Sequence, residues 1–384
     1  MTLFAVVFAV SLGFSMVSPF LPLYLKDVGS GGLGIAVLYF SYGLTRLLLS
    51  PVGGSLSDSA NRHTLIVMGL TIYCLVALGY LFLSWNLVSW TILFIFQGTA
   101  AALVRPLALA SIADFVPRNR EGTSMGTFDI SFYIAMGVGP ILGGLARDRF
   151  GIQTVFGCLF FLCVLSLFLS ILYVSDFSAA GRPSHDKTFR TAFQNRRLLG
   201  LASFIFTRSL GITVSAVFLP ILLSDLKFSG LKIGTIMAVG TIFTVLFLRP
   251  FGKICDRLDR ETITKAGGIC VALMTCSLPW AKTFWHFAFL CAGIGVCSAL
   301  TIPATAALLV EEGRFHGMGL TIGFFNSAMN LGLLVGPLLG GVLMNSSSLS
   351  SIFYVAGLMG VAGIVCFTVL FQNSVSIKNE VSGA

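Results

Sequence analysis

Charge is scarce in this chain. Only 10% of its 384 residues are charged, against roughly 25% in an average soluble domain, which excludes an ordinary water-soluble fold. The nine cysteines are odd in number, show no CxxC spacing and are scattered through apolar runs apart from Cys255 at the end of one. They read as small buried hydrophobes, and neither a disulfide framework nor a metal site is expected. His63, His185, His286 and His316 all fall near loops or the ends of apolar runs, so no mid-membrane histidine is available as a proton relay. No nucleophile–base spacing, phosphate loop or ligand cluster is evident, and the chain is expected to be neither an enzyme nor a holder of cofactors. The first apolar run lacks a basic n-region and an A-x-A-like cleavage site, and it is expected to be retained as a span with no soluble domain appended.

What the chain has instead is apolar length: 56% hydrophobic residues and a mean hydropathy of +0.94. Twelve runs approach the ~20 residues that a spanning helix needs. They lie near 3–25, 32–56, 64–84, 87–113, 123–146, 152–174, 199–223, 231–252, 263–281, 284–310, 317–344 and 350–372, and are called spans 1 to 12. The net charge of +9 does not point to nucleic acid, because its distribution follows the membrane. With the amino terminus inside, cytoplasmic loops hold fourteen Lys and Arg, among them Arg62, Arg118, Arg120, Arg196, Arg197, Arg257 and Arg260, and the opposite loops hold six. The positive-inside rule then puts both termini in the cytoplasm. Trp85, Trp90, Trp280 and Trp285 flank the loops after spans 3 and 9, and read as an aromatic belt at the outer interface.

The chain also repeats itself. Ala135-Met-Gly-Val-Gly139-Pro140-Ile-Leu-Gly143-Gly144 in span 5 returns 197 residues later in span 11 as Gly332-Leu-Leu-Val-Gly336-Pro337-Leu-Leu-Gly340-Gly341. A six-plus-six helical duplication follows: an N-terminal bundle over 1–174, a cytoplasmic linker over 175–198, and a C-terminal bundle with a short tail over 199–384. Glycine and proline survive in these helices because lipid offers freed backbone groups no water, and the small residues leave a groove for a facing helix. Helix packing alone is a sufficient reading of this stretch. Span 1 carries Leu12-Gly13, Pro19 and Pro22, matched in span 7 by Leu210-Gly211 and Pro220. These prolines are expected to bend the outer half of each helix.

Between spans 2 and 3 the link reads Gly54-Ser-Leu-Ser-Asp58-Ser-Ala-Asn61-Arg62, and between spans 8 and 9 Gly252-Lys-Ile-Cys-Asp256-Arg257-Leu-Asp259-Arg260. A carboxylate at a helix end beside arginines can form ion pairs that change partners when bundles rock; a solvated charged turn is the simpler alternative. Gly54, Asp58 and Arg62, with Gly252, Asp256, Arg257 and Arg260, resemble the signature loop of the major facilitator superfamily. Gly139-Pro140-x-x-Gly143-Gly144 resembles the antiporter motif of its twelve-helix drug:proton branch, and Gly13 with Pro19 and Pro22 is similar to a motif in the first helix of that branch. The resemblance covers essentially the whole chain. It implies an all-α membrane protein of twelve transmembrane helices in two pseudo-symmetric bundles, working by alternating access as a proton-coupled exporter of small amphipathic molecules.

Three positions depart from the family pattern. Ser59 stands where the family favours arginine. Asn61 stands where it favours glycine, and asparagine is expected to keep a left-handed turn there. Phe94 stands three residues before Gln97-Gly98, where the family's proton-antiporter motif has arginine, which puts the usual coupling machinery in question.

Charges inside the spans are the most informative residues: Arg46, Arg105, Arg208, Arg249 and Asp129. Each costs at least ~2.5 kcal/mol at mid-bilayer, so such groups usually face a wet cavity or a partner. Arg105 lies about 13 Å from Asp114 along span 4, and Asp129 about 10 Å from Gly122 along span 5, at the rise of a helix. An Arg105–Asp129 pair is thus expected at one depth. Asp129 is either the proton carrier, its affinity tuned by Arg105, or half of a permanent structural pair. Arg46, Arg105 and Arg208 are candidates for a cavity that favours anionic or zwitterionic cargo, although Arg208 can also snorkel to the surface. Arg249 can join the Asp256 loop.

The residues predict a monomeric secondary transporter with small molecules and lipids as partners, and the resemblance implies protons as a further partner, the proton gradient as driving force and a bacterial cytoplasmic membrane as location. An organic-anion carrier working by uptake or exchange without proton antiport is the alternative that Phe94 favours. A membrane sensor that binds without transporting belongs to a different class.

Overall fold

The computed structural model describes residues 2–59, 61–83, 86–115, 121–173, 195–255 and 257–382; over 50–59 and 121–129, among others, the backbone alone is described. Among the described residues all regular structure is helical. In chain order the helices are α1 (Thr2–Val17), α2 (Leu21–Asp27), α3 (Gly32–Ser59), α4 (Arg62–Phe82), α5 (Leu87–Phe115), α6 (Glu121–Phe150) and α7 (Ile152–Tyr173). Then come α8 (Arg196–Asp225), α9 (Gly230–Cys255), α10 (Arg260–Ser277), α11 (Phe284–His316), α12 (Met318–Ser346) and α13 (Leu349–Ser382). Among the described residues twelve stretches are long and apolar enough to cross a membrane, from Leu3–Asp27 to Leu349–Phe371. They coincide with the twelve expected spans, α1 and α2 together making the first.

The helices gather into two compact units. One is Met1–Pro183 with Ala216–Thr241, the other Ser184–Ser215 with Ile242–Ala384. In the first, α1 packs on α6 and α7, α3 on α5, and α4 on α5 and α7. In the second, α10 packs on α11 and α13, and α12 on both α11 and α13.

The prolines act unequally. Pro19 and Pro22 break the first span: α1 stops at Val17, and α2 restarts at Leu21 with Pro22 in its first turn, where a missing N–H is no loss. Pro220, by contrast, lies inside the uninterrupted α8, so the interruption is confined to the span with two prolines. A single proline removes one backbone bond, which a transmembrane helix tolerates.

The glycine repeats form close seams within each unit. A Cβ at Gly139 would strike the Ser15 hydroxyl and the backbone at Met16, and one at Gly143 the Met16 carbonyl. Beside this contact the Ser15 hydroxyl donates to the Ala135 carbonyl at 2.6 Å. Gly332 and Gly336 bring α12 equally close to the Phe206 and Leu210 carbonyls of α8. Gly340 and Gly341 are also buried. Gly13 packs on α7, where an added Cβ would meet Leu159 at 3.0 Å.

Three local expectations fail in whole or in part. Asn61 is extended (φ −64°, ψ 113°) and not left-handed; its side chain caps α4 by accepting from the His63 N–H. Asp259, 198 positions later, caps α10 in the same way (φ −63°, ψ 116°), accepting from Thr262. Asparagine therefore serves as a helix cap here, and no positive φ is required. Trp90 is 0% exposed and stacks on Tyr80, with ring centroids 5.2 Å apart, so it belongs to the core and not to a belt. Trp280 and Trp285 are exposed, as an interfacial belt requires, while Trp85 lies outside the described residues. The cysteines are also mixed in placement, with Cys163, Cys255 and Cys291 buried but Cys270 and Cys366 exposed.

Candidate functional site

Residues of the first unit line a partly open cavity of about 290 Å3, on α1, α2, α3, α4, α5 and α6. Helical periodicity builds its wall. Tyr39, Tyr42 and Arg46 follow one another at three and four residues along α3, and Gln97, Ala101 and Arg105 at four along α5, so each set shares one face. Ser11, Phe14 and Ser15 do the same along α1, and Ser18 follows just past its end. Gly98 permits the two main walls to approach, because a Cβ there would meet the Tyr42 carbonyl at 2.6 Å.

Arg46 and Arg105, both expected from sequence, line this cavity together. The Arg105 guanidinium carbon lies 3.8 Å from the centre of the Phe132 ring on α6, a cation–π contact. Phe94 is buried and packs edge-on against Tyr39 at 5.2 Å. The position where the family has arginine is thus part of an aromatic wall. The buried Tyr80 donates its hydroxyl proton to Gln97 Oε1 at 2.7 Å. Phe14 and Tyr73 stand with ring centroids 4.5 Å apart. Arg208 does not line this cavity; it is half-buried on α8 in the second unit. The Asp129 side chain lies outside the described residues, and with it the expected pair with Arg105.

The signature loops are placed in part. Gly54 and Asp58 fall in the last turns of α3, but their side chains lie outside the described residues, as does all of Asp256. Arg62 is buried at the start of α4. Gly252 has open space beside it in α9, and Arg257 is exposed. Arg260 reaches Glu311 at 3.5 Å. Arg249 is exposed near the end of α9.

Arg260 and Glu311 border a charged cleft of about 360 Å3 in the second unit. At its base the buried Glu312 accepts from Arg197 Nη1 at 3.2 Å and Asn195 Nδ2 at 3.4 Å, tying the start of α8 to the end of α11. Sequence does not single out Glu312, since its neighbour Glu311 is the equivalent of Asp114 in the repeat.

A further cluster lies at the opposite helix ends of the first unit. The Asp148 carboxylate at the end of α6 accepts the Gly230 N–H at 2.7 Å and the Leu231 N–H at 2.8 Å, at the start of α9. Lys26 pairs with Asp225 at 2.5 Å. The antiporter-type motif adjoins this cap: a Cβ at Gly144 would strike the Gly230 carbonyl, and one at Gly234 the Pro140 carbonyl. Asp148 falls one helical turn beyond Gly144, the signal by which sequence could have found it.

Twelve membrane-capable helices, seams of small residues in both repeats, and an aromatic cavity with two arginines define a multi-pass membrane protein of the transporter class. The family model described as Major Facilitator Superfamily matches residues 3–207 and 201–383, and the chain belongs to that superfamily. An uncharacterized MFS-type transporter of Methanocaldococcus jannaschii is 27% identical over 380 residues, 96% of this chain and 94% of the relative. The multidrug resistance protein MdtG of Salmonella typhimurium is 26% identical over 384 residues, covering 95% and 92%. Among solved structures, the nucleoside transporter NupG superposes with a TM-score of 0.77 at 14% identity, over 97% of this chain and 98% of that one. A mutant form of NupG superposes with a TM-score of 0.79, also at 14% identity, over 96% and 99%. These last two similarities concern the fold alone.

Proposed function

We propose that this chain is a proton-coupled secondary exporter of small amphipathic organic molecules, acting as a monomer by alternating access. We place it in a cytoplasmic membrane with both termini on the cytoplasmic side, following the loop charges. The observation that carries the reading is the first unit's cavity, where two intramembrane arginines meet aromatic walls, a surface suited to cargo that is part apolar and part charged. The drug-efflux aspect draws on similarity to relatives named as multidrug resistance proteins. Asp129 is the proposed proton carrier and Arg105 the group that tunes it, with the proton gradient as driving force and no cofactor. The seams at Gly139, Gly143, Gly332 and Gly336 are the proposed sliding surfaces, and Asp58, Arg62, Asp256, Arg257 and Arg260 the proposed inner switch.

A second reading, an organic-anion carrier exchanging cargo without proton antiport, is favoured by the buried Phe94 in its aromatic wall. One experiment separates the two. Purified protein in liposomes is given an inward proton gradient and anionic, zwitterionic or cationic amphiphiles, with wild type and Asp129→Asn compared. Gradient-driven transport that disappears in the variant is expected. Exchange that ignores the gradient, or coupling that survives in Asp129→Asn, would overturn the export reading in favour of the anion carrier.

A further inference from the structure

Cysteines far apart in sequence meet when neighbouring helices turn the right faces toward each other, and Cys270 of α10 and Cys297 of α11, 27 positions apart, do so in the second unit. Gly267, Cys270 and Met274 follow one another at three and four residues along α10, and Gly293, Cys297 and Thr301 at four along α11, so each set shares one face. The two faces run antiparallel and close together. A Cβ at Gly267 would strike the Thr301 side chain at 2.6 Å and meet the Cys297 carbonyl at 3.3 Å, while one at Gly293 would strike Met274 Sδ at 2.6 Å. Between these two contacts the Cys270 and Cys297 thiols share a hydrogen bond. Neither is in a disulfide, and the Met274 sulfur lies one helical turn further along, over Gly293. Cys270 is at the middle of the span Arg260–Trp280, about 15 Å of helix from either end. None of these residues lines the first unit's cavity.

The donor atoms decide what such a place can hold. Magnesium and calcium require oxygen ligands. A structural zinc site requires four nitrogen or sulfur ligands, and no group of three or more His, Cys, Asp or Glu able to hold a metal is present among the described residues. Two thiols and a thioether match a soft cation such as Cu(I) instead. We propose that Cys270 and Cys297, with Met274 as the third ligand, form a site for a soft monovalent thiophilic cation, Cu(I) or its analogue Ag(I), between α10 and α11. On binding, one thiol gives up its proton: an S–H bond breaks, a metal–thiolate bond forms, the proton passes to the aqueous phase, and the metal keeps its oxidation state. The second thiol and the thioether bind as neutral donors. The occupied site then carries no net charge, which a position deep in a membrane favours. Cys270 is exposed beside the exposed apolar Ile269 and Leu273 and is the point of entry; Cys297 is half-buried and is the inner ligand.

The test uses the purified full chain in detergent, under nitrogen with a phosphine reductant, titrated with Cu(I) against the chelator bathocuproine disulfonate. Wild type is expected to retain a single Cu(I) per chain, and Cys270 and Cys297 should then resist maleimide labelling together, as read by mass spectrometry. Cys270→Ser and Cys297→Ser should each weaken binding about hundredfold, the share of one thiolate in a metal site, and Met274→Leu about tenfold, since a thioether is the weaker donor. Cys366→Ser removes an exposed thiol outside the cluster and should change nothing, and an excess of Zn(II) should not displace the copper. Loss of copper to the chelator in wild type, undiminished retention in both Cys270→Ser and Cys297→Ser, displacement by Zn(II), or an equal loss in Cys366→Ser overturns the proposal. If the serine variants fail to fold, Ag(I) protection of the wild-type thiols decides without them: joint protection of Cys270 and Cys297 supports the site, and protection of one alone refutes it.

Discussion

The cap that Asp148 places on α9 can be removed one contact at a time. Its two oxygens take the Gly230 and Leu231 amides at 2.7 and 2.8 Å, a carboxylate standing in for the local residue that ordinarily caps a helix. Removing an N-cap acceptor costs ~0.5–2 kcal/mol, and removing an anion from a helix N-terminus ~0.3–1 kcal/mol. Asp148 is exposed, which holds both contributions toward the lower part of their ranges, so the sum is about 1.5 kcal/mol, or roughly tenfold in a local opening equilibrium. The neighbouring Lys26–Asp225 pair is solvated, with side chains 35% and 50% exposed, and such pairs contribute ~0–1 kcal/mol. Hydrogen–deuterium exchange of the segment 226–236, followed by mass spectrometry in detergent, reads this opening directly. Asp148→Ala should speed exchange there about tenfold, Asp148→Asn, which retains one acceptor, about threefold, and Lys26→Ala less than threefold, each with the rest of the chain unchanged. Wild-type exchange in Asp148→Ala, or a larger effect in Lys26→Ala, would contradict the capping role.

Two further outcomes concern the second unit. Glu312 has a side chain 6% exposed against an Arg197 side chain 20% exposed; stranding a buried carboxylate costs ~3–5 kcal/mol. With Asn195 still donating, Arg197→Ala should lower stability in mixed-micelle denaturation by about 3 kcal/mol. The double variant Arg197→Met, Glu312→Leu should recover most of that loss, and failure to recover would mean that the pair does more than neutralise itself. Asp259 has its carboxyl held below the ordinary value of 3.8, first by the Thr262 hydroxyl and then by the Thr262 backbone N–H. A depressed carboxyl stabilises the fold at pH above its unfolded value and loses that contribution as pH falls through the folded value. Wild type should therefore exceed Asp259→Ala by about 1 kcal/mol at neutral pH, and the difference should shrink as the carboxylate is protonated at pH below its ordinary value of 3.8. A difference that persisted there would rule out the charged-cap account.

Class and architecture were already legible in the residues, because a membrane leaves few alternatives. Scarce charge, twelve apolar runs and an internal repeat admit one kind of backbone, since in lipid every N–H must bond within its own helix. The glycine seams were legible for the same reason, as only packing against a neighbouring backbone explains small residues there. Arg46 and Arg105 were legible as costly intramembrane charges, and helical spacing on α3 and α5 already put tyrosines and Gln97 on the same faces. Which faces converge became visible only in the folded chain. Folding moved Trp90 from an interface to a core stack, and brought Tyr80 to Gln97 across 17 positions. It also joined Asp148 to amides 82 and 83 residues away. No period or motif encodes such pairings, because they depend on how helices rotate and cross when their small and large residues interlock.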